Sequence, residues 1–181
     1  MRKLFSFNMM SQDGYFEGPN HELNWHIVDE DFKAFAFKQL EQVDTLLFGR
    51  VTYQGMAAYW PTAPADDQIA EKMNCIEKIV VSNTLKRAEW TNTKVLSRDP
   101  LAEIAQLKQQ PGNEIAIFGS ATLLSTLMKA DLIDEHRVMV NPVLLGSGAP
   151  LFKNGSKAGL QLLETRPFPS GNVLCRYAPA S

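Results

Sequence analysis

The sequence predicts an α/β domain with a mixed sheet of about eight strands flanked by helices, its antiparallel part at the C-terminal end. Three observations carry that expectation. Short β-branched and aromatic runs alternate with amphipathic stretches as far as about residue 134, the pattern of parallel βαβ units. Beyond that point only strand-type runs follow, which places an antiparallel addition at the sheet edge. Two strand-to-helix junctions also share one design: an apolar strand stops on a glycine and enters a helix through small or hydroxyl residues.

The elements follow in chain order. KLFSFNM (3–9) reads as a first strand, because Asn8 and Asp13 interrupt the apolar run too early for a signal peptide. Residues 29–43 place Phe32, Phe35, Ala36, Leu40 and Val43 on one helical face. Asp29 is a candidate cap for that helix, with Glu30 and Asp31 in its acid-favoured first turn. TLLF (45–48) is a buried strand that stops at Gly49-Arg50, where another helix begins. Residues 66–76 repeat the helical spacing with Ile69, Met73 and Ile76, and KIVVS and KVLS follow as strands. Asp99-Pro100 starts a helix that Gly112 stops, and EIAIF then forms a strand. Residues 120–130 group Leu123, Leu124, Leu127 and Met128, and HRVMVN, LQLLE and NVLCRY complete the strands. There is no internal repeat or linker, so one domain over residues 1–181 is expected.

A chain of 181 residues with 45% hydrophobic residues can bury a sizeable core. Its 18 basic and 20 acidic side chains give a net charge of −2, which argues against nucleic acid or an anionic membrane as partner. A small anionic ligand needs only a local positive site. Cys75 and Cys175 make no disulfide framework, so a reducing compartment, the cytoplasm, is expected. No apolar run approaches a membrane span. His21, His26 and His136 are dispersed and accompany no cysteine pair, so no metal site is expected. Neither a nucleophile elbow nor a phosphate-loop lysine motif is present.

The chemistry concentrates at the two junctions, LLFGRVT (46–52) and IAIFGSATLL (115–124). A helix N-terminus carries unpaired N–H groups and partial positive charge, which attract phosphate. Glycine lets a backbone approach closely, and Arg50 adds a fixed fork of donors. Two such junctions in one sheet would hold the pyrophosphate of a dinucleotide; read blandly, they are turn glycines followed by ordinary caps. Ser82 and Asn83 end a third strand and suit a ribose, a phosphate or a turn. Gly146-Ser147-Gly148 lacks the third glycine and the helix of a dinucleotide fingerprint, and reads as a shaped loop able to close over a ligand. Asp29, Glu30 and Asp31 offer a carboxylate to a substrate, or form a charged first helical turn.

The order of these motifs resembles the dihydrofolate reductase-like superfamily. It is most similar to the reductase domain at the C-terminal end of bacterial riboflavin-biosynthesis deaminase/reductase proteins, the RibD C-terminal branch. The carrying stretches are SQDGY (11–15), FGRVTY (48–53), KIVVSNTL (78–85), IFGSATLLSTLMKADLIDE (117–135) and VNPVLLGSGAPLF (140–152). The resemblance implies NADPH. It implies that Gly49, Arg50 and Thr52 hold cofactor phosphates, that Ser82 with Asn83 meets the adenosine 2′-phosphate, and that Gly119, Ser120, Ala121, Thr122 and Leu123 form the second cofactor junction. Asn8–Asp13 would pass near the nicotinamide. True dihydrofolate reductases show two or three glycines at the second junction, where this chain has Gly119-Ser120. They also place one acid on the first helix after a tryptophan, where here three acids follow Trp25. Asp31 is preferred for protonation over Asp29 and Glu30.

The expected activity is hydride transfer from NADPH to a C=N or C=O carbon of a small heterocyclic or ribosylaminopyrimidine substrate. The alternatives are a true dihydrofolate reductase and a nucleotide-binding module without catalysis. A homodimer is expected, because riboflavin-type relatives pair through their sheets and the strand-rich end here leaves an edge to cover.

Overall fold

The computed structural model describes residues 1–64, 66–152 and 157–180. Its elements run β1 (Leu4–Ser11), β2 (Tyr15–Glu17), α1 (Glu30–Leu40), β3 (Val43–Gly49), α2 (Arg50–Tyr59), α3 (Gln68–Cys75), β4 (Glu77–Val81), β5 (Thr93–Leu96), α4 (Pro100–Gln109), β6 (Glu114–Phe118), α5 (Ala121–Lys129), β7 (Glu135–Asn141), β8 (Ala149–Pro150), β9 (Leu160–Pro167) and β10 (Val173–Pro179). Eight strands form one sheet in the order β5-β4-β3-β6-β1-β7-β10-β9, and β2 pairs with β8 beside it.

The first strand in sequence lies inside the sheet, paired in parallel with β6 on one side and β7 on the other. A strand there is covered on both faces, which is why its apolar residues do not alternate cleanly. Leu4 belongs with Leu47, Ile104, Ile117, Leu124 and Leu127, so α4 and α5 cover one face. Phe5 belongs with Leu40, Leu46, Phe48, Tyr53 and Met73, so α1, α2 and α3 cover the other.

The C-terminal part runs antiparallel as expected, with a finer detail. β7 is still parallel to β1, and the reversal begins at β10, which runs against both β7 and β9. β10 is thus the only strand of the large sheet opposed to the rest. The small β2–β8 pair was not foreseen: three residues and two are too short to show a period. α1 also stops at Leu40, ahead of the Val43 expected to continue it; Val43 opens β3 instead. Among the described residues no helix is long and apolar enough to cross a membrane.

Candidate functional site

β3 and β6 are neighbours, yet the chain leaves them in opposite directions. From β3 it passes through α2 and α3 to β4, and from β6 through α5 to β7 on the other side. That divergence is a topological switch point, and it opens a crevice at the carboxyl ends of the strands. The two glycine junctions therefore meet there, though seventy residues separate them in sequence (49 to 119).

They interlock. Gly49 has an ordinary extended backbone (φ −79°, ψ 163°), so conformation does not require glycine. Space does: a Cβ on Gly49 would collide with Ser120 Oγ and lie 3.2 Å from Ser120 Cβ. Reciprocally, a Cβ on Gly119 would lie 3.0 Å from the Thr52 methyl and 3.2 Å from its Oγ1. Gly119 also has φ +65°, and Ser120 follows it at φ +57°, two successive left-handed residues at the entrance to α5. A non-glycine residue held there costs roughly 1–3 kcal/mol, strain of the kind found at functional sites.

The N-termini of α2 and α5 differ from the others. Asp29, Asp67 and Asp99 cap α1, α3 and α4 with their side chains, and each of those helices carries an acid in its first turn. Neither α2 nor α5 has a side-chain cap or a first-turn acid. The partial positive charge of both ends is therefore uncompensated by side chains where they converge. Arg50 is exposed at the start of α2, and its Nη1 donates to Gln54 Oε1 at 3.1 Å. Among the described residues it enters no ion pair. Ala121 and Leu123 are buried in the first turn of α5, with Thr122 exposed between them.

Ser82 follows directly on the last β3–β4 pair, Gly49 with Val81, so it reaches the same edge. Its Oγ accepts from Thr84 N at 3.2 Å and Leu85 N at 3.0 Å, closing a turn that leaves Asn83 exposed. The acid cluster stands apart at the start of α1. Asp29 Oδ1 accepts from Phe32 N at 2.8 Å, Glu30 binds Lys33 at 2.7 Å, and Asp31 is exposed. Trp25 Nε1 donates to Glu22 O, and burial pushes the neighbouring His26 down to about 4.

Two residues of the stretch expected near the nicotinamide, Asn8–Asp13, have surroundings that the sequence did not foretell. Asp13 accepts from Ser11 Oγ at 2.7 Å, Gly146 N at 2.7 Å and Leu145 N at 3.1 Å. Those bonds, from Ser11 first, hold its carboxyl below the usual range and pin the Gly146-Ser147-Gly148 loop to the end of β1. The signal was the Ser-x-Asp-Gly turn itself, whose distant partner no local pattern identifies. The second is Asn8 on β1, buried to 4% exposure with neither Oδ1 nor Nδ2 hydrogen-bonded. Among the described residues no cluster of three or more His, Cys, Asp and Glu could hold a metal ion.

The RibD C-terminal domain model matches residues 2–174. The Bacillus subtilis (strain 168) protein YyaP, itself uncharacterized, is 35% identical over 181 residues, 97% of this chain and 94% of its own. Among solved structures, a Thermotoga maritima diaminohydroxyphosphoribosylaminopyrimidine deaminase/5-amino-6-(5-phosphoribosylamino)uracil reductase superposes with a TM-score of 0.73 at 12% identity, over 99% of this chain and 57% of that one. Enterococcus faecalis dihydrofolate reductase, complexed with NADP(H), superposes with a TM-score of 0.68 at 15% identity, over 99% and 97%. At those identities the likeness establishes the dihydrofolate reductase-like fold.

Proposed function

The chain belongs to the RibD C-terminal domain family, and from that premise we propose that it is an NADPH-dependent reductase of a small heterocyclic or ribosylaminopyrimidine substrate. One observation carries the reading. Two helix N-termini without a side-chain cap or first-turn acid lie side by side at the switch point, and Arg50 stands beside them without an ionic partner among the described residues. Backbone N–H groups and a dipole end aimed at one crevice suit a pyrophosphate. The interlock of Gly49 with Ser120 and of Gly119 with Thr52 packs the two junctions against each other, so that both helix ends address one crevice.

In this reading Gly49, Arg50 and Thr52 with Gly119, Ser120, Ala121, Thr122 and Leu123 hold the pyrophosphate. Ser82 and Asn83, one strand farther, take the adenosine end. When bound, NADPH supplies the hydride that reduces a C=N or C=O carbon. The protein positions the acceptor. Phe7, Phe35 and Phe118 form an aromatic wall on the α1 face, with ring centroids 5.7 and 5.8 Å apart, suited to a flat heterocycle. The loop held by Asp13 excludes water from the reacting end. Asp29 is engaged as a cap and Glu30 by Lys33, which leaves Asp31 to deliver the proton, directly or through water. We place the protein in a reducing cytoplasm because Cys75 and Cys175 are free thiols, treat residues 1–181 as one domain, and expect it to act as a homodimer.

Titration with NADPH, then a substrate panel followed at the reduced-nicotinamide absorbance band, tests the proposal. Turnover of a ribosylaminopyrimidine phosphate or a related heterocycle is expected. Turnover of dihydrofolate alone would make the protein a dihydrofolate reductase. Binding of NADPH without turnover of any substrate would leave a nucleotide-binding module.

A further inference from the structure

The geometry points to a second binding site, for a small organic phosphate monoester, at the end of the sheet opposite the cofactor crevice. It is a cavity of about 330 Å³ between α1 and the β9–β10 hairpin, in the size range of small-molecule pockets. Glu114, the first residue of β6, and Arg137, near the start of β7, line it. Those residues place it at the amino ends of strands whose carboxyl ends form the crevice. Register sets the wall made by the hairpin. Arg166 pairs with Leu174 and Glu164 with Arg176, so all four stand on the sheet face where Leu174 packs with Phe32.

Charge identifies the ligand. Glu114, Glu135 and Glu164 bring three negative charges to this end, and Lys3, Arg137 and Arg176 three positive ones. All six are paired among themselves. Lys3 meets Glu114 at 3.5 Å and Glu135 at 3.1 Å. Arg137 meets Glu114 at 3.0 Å and Glu135 at 2.7 Å, and Arg176 meets Glu135 and Glu164 at 2.6 Å each. That network is neutral, which leaves Lys38 and Arg166 in surplus on opposite walls, on α1 and β9. Both are exposed, and neither enters an ion pair among the described residues. Arg166 is held in place by the Phe168 ring, 4.8 Å from its guanidinium carbon.

Gln39, only 6% exposed, adds a third donor. Its Oε1 accepts from Arg137 Nη1 at 3.3 Å. A guanidinium can only donate, so this bond fixes which way the amide points and leaves Nε2, without a partner among the described residues, to the cavity. An arginine fork, an ammonium and an amide N–H suit the three acceptor oxygens and nearly double charge of a phosphate monoester. Phe35 and Leu174 give the group that carries the phosphate an apolar wall.

Isothermal titration calorimetry with phenyl phosphate tests the site, and it stands or falls separately from the cofactor reading. The parent should show a one-to-one component that Arg50→Ala leaves in place. Lys38→Gln and Arg166→Gln should each weaken that component about tenfold, as the loss of one charged hydrogen bond implies. Their melting temperatures without ligand should barely move, because both side chains are exposed and free of ion pairs. Benzoate, a monoanion on the same ring, should bind about tenfold more weakly, and benzyl alcohol, uncharged, should give no measurable heat. No binding of phenyl phosphate at millimolar concentration overturns the inference. So does parental affinity in both glutamine variants, or equal affinity for benzoate. Binding that only Arg50→Ala removes would place the phosphate in the crevice, overturning this site while supporting the cofactor reading.

Discussion

Arg50 is the residue on which the cofactor assignment turns. It leaves the end of a buried strand, stays exposed, and donates to the neutral Gln54. Arg50→Ala should therefore weaken NADPH by about 1.5–3 kcal/mol, the range for a charged hydrogen bond. Parallel titration with NADH locates the contact: a smaller loss for NADH marks the 2′-phosphate, an equal loss the pyrophosphate. The melting temperature without ligand should barely move, and parental affinity for NADPH would remove Arg50 from the site. Gly49 behaves differently, since its replacement meets Ser120 and not a ligand. Gly49→Ala should cost about 1–3 kcal/mol of stability by overpacking. Ser120→Gly in the same chain removes both the obstructing side chain and a strained left-handed residue, so the double variant should recover most of the loss by chemical denaturation.

At the level of elements, the start of α1 separates two roles that its three acids share in sequence. Asp29 bonds Phe32 N, so Asp29→Ala should lower stability by about 0.5–2 kcal/mol. Asp31 is exposed and a first-turn carboxylate is worth only about 0.3–1 kcal/mol to the helix. If it assists protonation, Asp31→Ala should keep the parental melting temperature and lose roughly 10²–10⁴ in rate on an identified substrate. Parental turnover in all three single alanine variants would reduce the cluster to a helix start. A measurement of both stability and rate on each variant resolves the roles, because each predicts a change in only one of them.

Across the whole molecule, one carboxylate ties three strands of the sheet. Glu135 opens β7 and meets Lys3 beside β1, Arg137 on β7 and Arg176 on β10 at 3.1, 2.7 and 2.6 Å. Burial alone would raise its carboxyl, but hydrogen bonds from Arg176 and Arg137 outweigh that and bring it down to about 2. A depressed carboxylate stabilises the fold in full above its unfolded value, near 4.5, and ceases to do so as pH falls through about 2. Denaturation followed between pH 5 and 2 should therefore show a steep loss of stability that Glu135→Gln flattens, starting from a lower plateau. β9 is the edge of the sheet, and Leu160, Leu162 and Leu163 are 40, 53 and 50% exposed along it. An exposed edge strand of eight residues that carries these three leucines is a pairing surface. Light scattering at micromolar concentration should give twice the chain mass, and Leu162→Lys should bring it to one.

The sequence by itself determined the strands of the large sheet and where β3 and β6 stop, though neither the β2–β8 pair nor the end of α1 at Leu40. Eight strand-like runs became the eight strands of the sheet, and Gly49 and Gly119 marked the ends of β3 and β6, because period and turn chemistry are local properties. It also exposed the two junctions as a class and the candidate cap at Asp29, now seen bonded to Phe32. Tertiary structure alone decided that those junctions touch, since β6 inserts beside β3 only after the chain has built β4 and β5 on the other side. It decided that Ser82 closes a turn, that Asp13 holds a loop more than a hundred residues away, and that Asn8 is buried without a partner. Each of those facts depends on which atoms distant segments bring alongside, and a one-dimensional pattern carries no record of what fills the space next to a side chain.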